Sequence, residues 1–208
     1  MKPMRAAILT QRVVLAVTAA ASLSGCGART PPASAAASGP GAAAGGCTAP
    51  PDAFLTARLR GAIDADLAWK AAELQCEGGA RPDGSGIRVS LTGPLNARGQ
   101  RVRLVFGMAA VPGTASNRTV PTNVTLILEG ANRVYATLGD GKCSADALQQ
   151  QPATAPGAAG EYWVSARGFC MEPAATLDGS ERVLLSRFDF KGRIHVDDAD
   201  LHGHADGS

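Results

Sequence analysis

The sequence has few of the residues on which recognition and catalytic chemistry usually depend. Aromatic side chains make up 4% of the chain and no basic stripe accompanies them, so the usual signature of nucleic-acid binding is absent. No apolar run reaches the roughly 20 residues of a transmembrane helix. All three histidines fall in the last 14 residues, far in sequence from any serine or cysteine that would need a base. We therefore expect neither an enzyme nor a nucleic-acid partner, and an envelope hydrolase is the least favoured function.

The first 25 residues are typical of an export signal. Lys2, Arg5 and Arg12 form a basic start, and the apolar segment 13–23 follows. That segment is 11 residues long, which suits a signal peptide and is too short to cross a bilayer. The whole chain has 20 basic and 18 acidic residues. Removal of the three basic residues leaves 17 against 18, so we expect a mature chain with a net charge near −1.

A lipid anchor is indicated by the four residues that follow the apolar segment. Leu23-Ser24-Gly25-Cys26 resembles the lipobox of bacterial lipoproteins, and the resemblance covers residues 1–26 only. It implies cleavage before Cys26, a diacylglyceryl group on its sulfur and a further acyl chain, such as palmitate, on its amine. Several chains together give stable membrane attachment. Gly27, where an inner-membrane lipoprotein carries Asp, implies the outer membrane, with the domain on its periplasmic face. An ordinary secretory signal is the alternative.

Composition divides the remaining chain into three parts. Residues 26–52 are mainly Ala, Gly, Pro and Ser, which predicts a disordered linker that acts as a flexible tether. Residues 53–195 are long enough to form one domain with a single core. Residues 196–208, rich in His, Asp and Gly, are expected to form a flexible tail.

Period-two alternation of apolar and polar residues predicts an all-β domain. Many short strands separated by turn residues favour an antiparallel β-sandwich or a barrel-like sheet. The stretch Leu55–Leu74 is ambiguous, because its Ala and Leu content would also permit a helix. Its alternation favours a strand at Ala62–Trp69. One short helix is expected at residues 143–150, where Ser144 can cap the first turn. The alternating runs are 87–92, 102–108, 124–128, 134–138, 162–167 and 183–190.

Four cysteines remain after Cys26, an even number that predicts two disulfide bonds in an exported chain. No C-x-x-C pair occurs, which argues against a zinc site or a thioredoxin-like redox site. Four cysteines allow three connectivities. We favour Cys47–Cys76 together with Cys143–Cys170, and the other two connectivities stay open.

Two loops and the tail contain the candidate binding residues. The glycine-rich stretch Cys76–Gly86 is predicted to be a long loop, and loops on a rigid scaffold often bind ligands. A second candidate loop is Ser116–Asn123. Histidines and aspartates in the tail have the right chemistry for a transition metal, although a solvated, mobile tail is the favoured interpretation. The ligand-binding candidates are Glu77, Arg81 and Asp83, and the metal candidates are His195, His202 and His204.

These observations predict a lipid-anchored envelope protein whose β domain acts as a binding or structural module. Its expected partners are the membrane, through the anchor, and an envelope protein. No cofactor is expected. The alternative is a periplasmic lipoprotein that binds a small ligand or a metal ion. A concave groove with converging polar groups would favour the alternative, and an exposed apolar face would favour a protein partner.

Overall fold

A computed structural model describes residues 52–116, 118–153 and 158–197. The all-β prediction is confirmed, since most of these residues lie in strands and none lies in an α-helix. Two single turns of 3-10 helix occur, at Ala71–Glu73 and Asp140–Lys142. In this part of the chain no helix is long and apolar enough to cross a membrane. The strands are β1 Phe54–Gly61, β2 Ala65–Lys70, β3 Gln75–Ala80, β4 Ile87–Thr92, β5 Arg101–Met108, β6 Val120–Glu129, β7 Arg133–Ala136, β8 Cys143–Pro152, β9 Glu161–Cys170, β10 Ala174–Ala175 and β11 Arg182–His195.

The strands form one antiparallel sheet. At two places in this sheet, two consecutive strands pair with different ends of the same neighbouring strand. Both β7 and β8 pair with β6, at opposite ends of it. Similarly, β9 and β10 both pair with β11. From β3 to β11 the sheet is therefore an up-and-down meander, with each position beside the next in sequence. The hairpin of β1 and β2 is added at the far side of β11, where β1 pairs with it.

The sheet curls until β3 lies against the C-terminal end of β11. The approach is close because two consecutive glycines of β3 face this contact. A Cβ atom at Gly78 would come within 2.6 Å of the Ile194 side chain, and one at Gly79 within 2.6 Å of the His195 carbonyl oxygen. Any larger residue would separate the two strands, so these glycines give the sheet its barrel-like shape.

Inward-pointing side chains of nearly every strand fill the space inside the curled sheet. The centre is aromatic: the ring centroid of Phe106 lies 4.9 Å from that of Phe188 and 4.6 Å from that of Phe190. All three side chains are fully buried, together with Tyr135. Aromatic pairs at this spacing add about 0.5–1.5 kcal/mol each beyond simple area burial.

The predicted helix at residues 143–150 is wrong, because this segment is the first part of β8. A β-bulge between Ala145 and Ala147 explains the error. Residues 143–145 are all buried and burial resumes at Leu148, so the extra residue places the buried side chains of Ala145 and Leu148 three positions apart. Apolar residues three positions apart are typical of a helix. A β-bulge gives the same spacing within a strand because it adds one residue.

Two other boundaries differ from the sequence prediction. The strand expected at Ala62–Trp69 begins at Ala65, and residues 62–64 form the turn that connects it to β1. The expected loop Cys76–Gly86 is a strand over its first half, since Gln75–Ala80 pairs with β4. Glycines at positions 78 and 79 suggested a loop, but they are there for the close contact with β11.

Candidate functional site

The three predicted ligand-binding residues all bond to other residues of the chain. Arg81 donates two hydrogen bonds from one nitrogen to Asp140, at 3.0 and 3.1 Å, and so joins the β3–β4 turn to the loop before β8. Asp83 accepts hydrogen bonds from the backbone and hydroxyl of Ser85. These bonds from Ser85 lower the pKa of Asp83 below its ordinary value, and Arg81 adds to the effect.

Glu77 is separated from the other two by its position on β3. Its carboxylate lies 3.4 Å from Arg103, which also contacts Glu129 at 2.8 Å. This ion-pair network lies across β3, β5 and β6 on the outside of the sheet. The three residues therefore stabilise turns and strands in this structure, and they do not converge on one site.

The second predicted loop, Ser116–Asn123, is largely held by the sheet. Ser116 forms an isolated bridge with Leu148, and from Val120 onward the segment is strand β6. Residue 117 lies outside the described residues. Its neighbour, the loop 111–114, is held by the buried Gln150 side chain, which bonds to three backbone groups there.

Of the three metal candidates, the structure describes only His195, at the end of β11. Its ring lies 3.1 Å from Asp197 and 3.6 Å from Glu161, and Arg193 lies 3.2 Å from the same Glu161 carboxylate. Within residues 52–116, 118–153 and 158–197 no group of three or more His, Cys, Asp or Glu side chains is arranged to hold a metal. His202 and His204 lie outside the described residues.

The Cys143–Cys170 disulfide bond is confirmed, and it joins residues that are directly paired across β8 and β9. Both cysteines are buried. Cys76 is also disulfide-bonded. Cys47, which the sequence favours as its partner, lies outside the described residues, as does Cys26.

The most unusual surface of the described chain is an exposed set of large apolar side chains, here called the outer apolar face. It contains five of the seven large apolar side chains that are exposed among the described residues. Leu177 is 96% exposed and Met171 is 61% exposed. The face consists of Val134, Leu138, Phe169, Met171 and Leu177.

Antiparallel pairing brings Val134 and Leu177 to the same end of two neighbouring strands. Ala136 of β7 pairs with Ala175 of β10, so Val134, two residues before Ala136, and Leu177, two residues after Ala175, lie at the same end of this pair. Val134 points outward because its neighbour Tyr135 is buried. Phe169 points outward because its neighbours Gly168 and Cys170 are buried, and Met171 directly follows the end of β9.

Charged groups at the border of the outer apolar face are paired with each other. Lys142 contacts Glu172 at 2.6 Å, and Arg133 contacts Glu181 at 3.0 Å. Glu181 also accepts a hydrogen bond from the hydroxyl of Tyr135. Burial and this hydrogen bond raise the pKa of Tyr135, so the phenol stays neutral. These two ion pairs together carry no net charge.

The outer apolar face is not predictable from strand periodicity, because only one face of a strand is expected to be apolar. Around Cys170 the outward positions Phe169 and Met171 are as apolar as the inward ones. A strand without polar alternation is a signal for burial on both faces, and here it marks a face that nothing in the described chain covers.

The described residues define the class of protein: an all-β, disulfide-bonded domain with one exposed apolar face. Comparison of the chain with protein-family models, with characterised proteins and with solved structures finds no match.

Proposed function

We propose that this protein is a lipid-anchored component of the bacterial envelope whose β domain binds a partner protein through the outer apolar face. The observation that carries the proposal is the set of exposed Phe, Met and Leu side chains on β9 and in the segments that directly follow β7, β9 and β10. Exposed apolar patches of this kind mark interaction sites. Phe and Met are also enriched in the core of protein interfaces.

A protein surface suits the outer apolar face better than an anionic membrane does. Attraction to anionic lipid requires an excess of Lys and Arg, and here Lys142 and Arg133 are neutralised by Glu172 and Glu181. Asp178, next to Leu177, adds a further exposed carboxylate. An apolar patch with a balanced polar border is the ordinary anatomy of a protein–protein interface.

The anchor would keep the domain near its partner. The lipobox resemblance places the acyl chains on Cys26, and about 25 residues then precede the first strand. A flexible chain of that length has an end-to-end distance of about 25–30 Å. Within this proposal the chain performs no chemical reaction, and its contribution is to hold the partner close to the membrane.

Site-specific photo-crosslinking in cells tests the outer apolar face. A benzophenone amino acid at Phe169 or at Leu177 should capture the same envelope protein, and at the exposed Arg88 of β4 it should not. The double variant Met171→Asp, Leu177→Asp should lose this product, whereas Leu95→Asp should retain it, since Leu95 is an exposed leucine outside the face. Capture of a second copy of the chain, or of lipid, would contradict the proposed partner.

Mass spectrometry of the N-terminal peptide tests the anchor separately. We expect a mature chain that begins at a lipid-modified Cys26, and we expect Cys26→Ala to release the domain from the membrane fraction. An unmodified Cys26 thiol would overturn the anchor and leave the crosslinking result unaffected.

A further inference from the structure

A second surface of the domain has features of a ligand site and lies between the β1–β2 hairpin and the turn that connects β4 to β5. It is an open groove of about 700 Å³, within the usual range for small-molecule sites. The inward side chains of β2 form one wall, and the β4–β5 turn forms the other. The lining residues used below are Ile63, Leu67, Trp69, Leu95, Arg98 and Val102.

The wall formed by β2 is apolar but incompletely covered. On the neighbouring strand β1, the inward side chains of Leu55 and Leu59 are fully buried. On β2 the inward positions Leu67 and Trp69 are only partly buried. Burial of apolar surface contributes about 25 cal/mol of favourable free energy per Å². A molecule that covered this wall would therefore be stabilised in proportion to the apolar area that it buries.

The groove is rigid where a ligand would be held. The Trp69 ring packs on the backbone of Gly93, at the start of the β4–β5 turn. The turn itself is held by the side chain of Asn96, which accepts hydrogen bonds from the backbone N–H groups of Arg98 and Gln100 at 2.9 and 3.0 Å. Both walls are therefore formed before any ligand arrives, which reduces the ordering cost of binding.

The charge balance of the groove is positive. Among the described lining residues, Arg98 and Arg133 are cationic and Asp64 is the one acid. Asp64 lies 3.2 Å from Arg60, and Arg133 is paired with Glu181. In the described part of the chain no carboxylate pairs with Arg98. Arg98 is thus the cation available for an incoming anion.

We propose that this groove binds a small amphipathic anion, with its apolar body against Leu67 and Trp69 and its acidic group on Arg98. A guanidinium is well suited to this role because its planar array of donors matches a carboxylate. The proposal does not depend on the outer apolar face, because none of the five residues of that face lines the groove.

Tryptophan fluorescence tests the proposal directly. The chain has two tryptophans, and Trp163 lies on β9 beside Lys191; in a Trp163→Phe background Trp69 is the single emitter. Submicellar dodecanoate should change Trp69 emission saturably, whereas butyrate and dodecyltrimethylammonium should not. The first lacks the apolar body, and the second has the opposite charge.

Two arginine variants locate the anionic group. Arg98→Gln should weaken dodecanoate binding by about fivefold to tenfold, the usual contribution of a charge-assisted hydrogen bond. Arg88→Gln, which removes another exposed arginine, should leave the affinity unchanged. The Met171→Asp, Leu177→Asp variant should bind dodecanoate normally, which separates this site from the proposed partner site.

Three results would overturn the proposal. One is the absence of a saturable change in Trp69 emission with dodecanoate. Another is equal affinity for dodecanoate and dodecyltrimethylammonium, which would show apolar adsorption without recognition of charge. The third is an equal effect of Arg98→Gln and Arg88→Gln, which would show only long-range electrostatics.

Discussion

The indole ring of Trp69 lies directly on the backbone of Gly93, where a Cβ atom would overlap it. This contact joins the edge strand β2 to the far side of the curled sheet. It packs the β1–β2 hairpin against the start of the β4–β5 turn, the two walls of the groove.

Replacement of Gly93 by Ala should therefore displace Trp69. Overpacking of this kind usually costs about 1–3 kcal/mol, and we expect that loss in urea unfolding together with red-shifted Trp69 emission. Gly141→Ala is the matched control, because a Cβ there meets nothing within 4 Å. Equal stability of the two variants would show that Trp69 can move at no cost.

The side chain of Gln150 should be essential to the loop 111–114. It accepts a hydrogen bond from the Gly113 N–H and donates to the Val111 and Thr114 carbonyl oxygens, and it is 5% exposed. Gln150→Leu should cost about 1–3 kcal/mol and accelerate hydrogen exchange at the Gly113 amide. Gln149→Leu, at the adjacent exposed position, should change stability by less than about 0.5 kcal/mol. Unaltered exchange in Gln150→Leu would contradict this role.

Arg81 and Asp140 should show energetic coupling. The Arg81 side chain is 17% exposed, so removal of the Asp140 carboxylate leaves a poorly hydrated cation whose remaining carboxylate, Asp83, lies at 3.5 Å. A double-mutant cycle with Arg81→Gln and Asp140→Asn should give a coupling of about 1–2 kcal/mol. The more exposed Lys142–Glu172 pair should give less than about 1 kcal/mol in the same measurement. A coupling near zero for Arg81–Asp140 would show that water replaces the pair.

Asp178 should make stability depend on acid pH. Hydrogen bonds from the Thr176 hydroxyl and from the backbone and hydroxyl of Ser180 lower its pKa from 3.8 to about 2. A carboxyl with a depressed pKa stabilises the fold above its unfolded pKa and loses that contribution as pH falls to its folded pKa. Asp178→Asn should thus be less stable than wild type at neutral pH, with a difference that shrinks between about pH 4 and pH 2.

NMR titration of the Asp178 carboxyl carbon checks the cause of this effect. The wild-type midpoint should lie at about 2, and Ser180→Ala should raise it towards the ordinary value because two of the hydrogen bonds involve the hydroxyl. A wild-type midpoint at the ordinary value would refute the assignment.

Loss of the Cys143–Cys170 bond should lower stability substantially. The bond closes a 27-residue separation, for which the loop-entropy model gives about 3–4 kcal/mol. The double variant Cys143→Ala, Cys170→Ala should show this loss in urea unfolding, with the remaining disulfide verified by thiol counting. An unchanged urea midpoint would mean that the paired strands already restrict the unfolded chain.

The fold class could be predicted from the sequence, whereas several details of the sheet could not. Alternation identified β4, β5 and β9 because their inward residues recur at every second position. It failed at β8, where the bulge after Ala145 breaks the period, and at β3, where Gly78 and Gly79 serve a contact with β11. Both failures arise from tertiary pairing, which local periodicity does not contain.

The candidate sites were less accessible to sequence reasoning. Glu77, Arg81 and Asp83 were chosen because charged residues in a glycine-rich loop often bind ligands. Their actual partners, Arg103, Asp140 and Ser85, include residues up to 59 positions away. Nor could the outer apolar face be identified from its residues alone, because an exposed Leu177 and a buried Leu185 are alike in sequence.

The pairing of β1 with β11 has a consequence for the order in which the domain is assembled. Thr56 and Asp189, which are paired across these strands, are 133 residues apart. During synthesis, β1 is therefore made early, and its partner strand β11 is made only after all the other strands. Contacts at such separation make folding slow, and an unpaired strand edge is prone to aggregation meanwhile. The hairpin with β2, which can form at once, covers one edge of β1 during this delay.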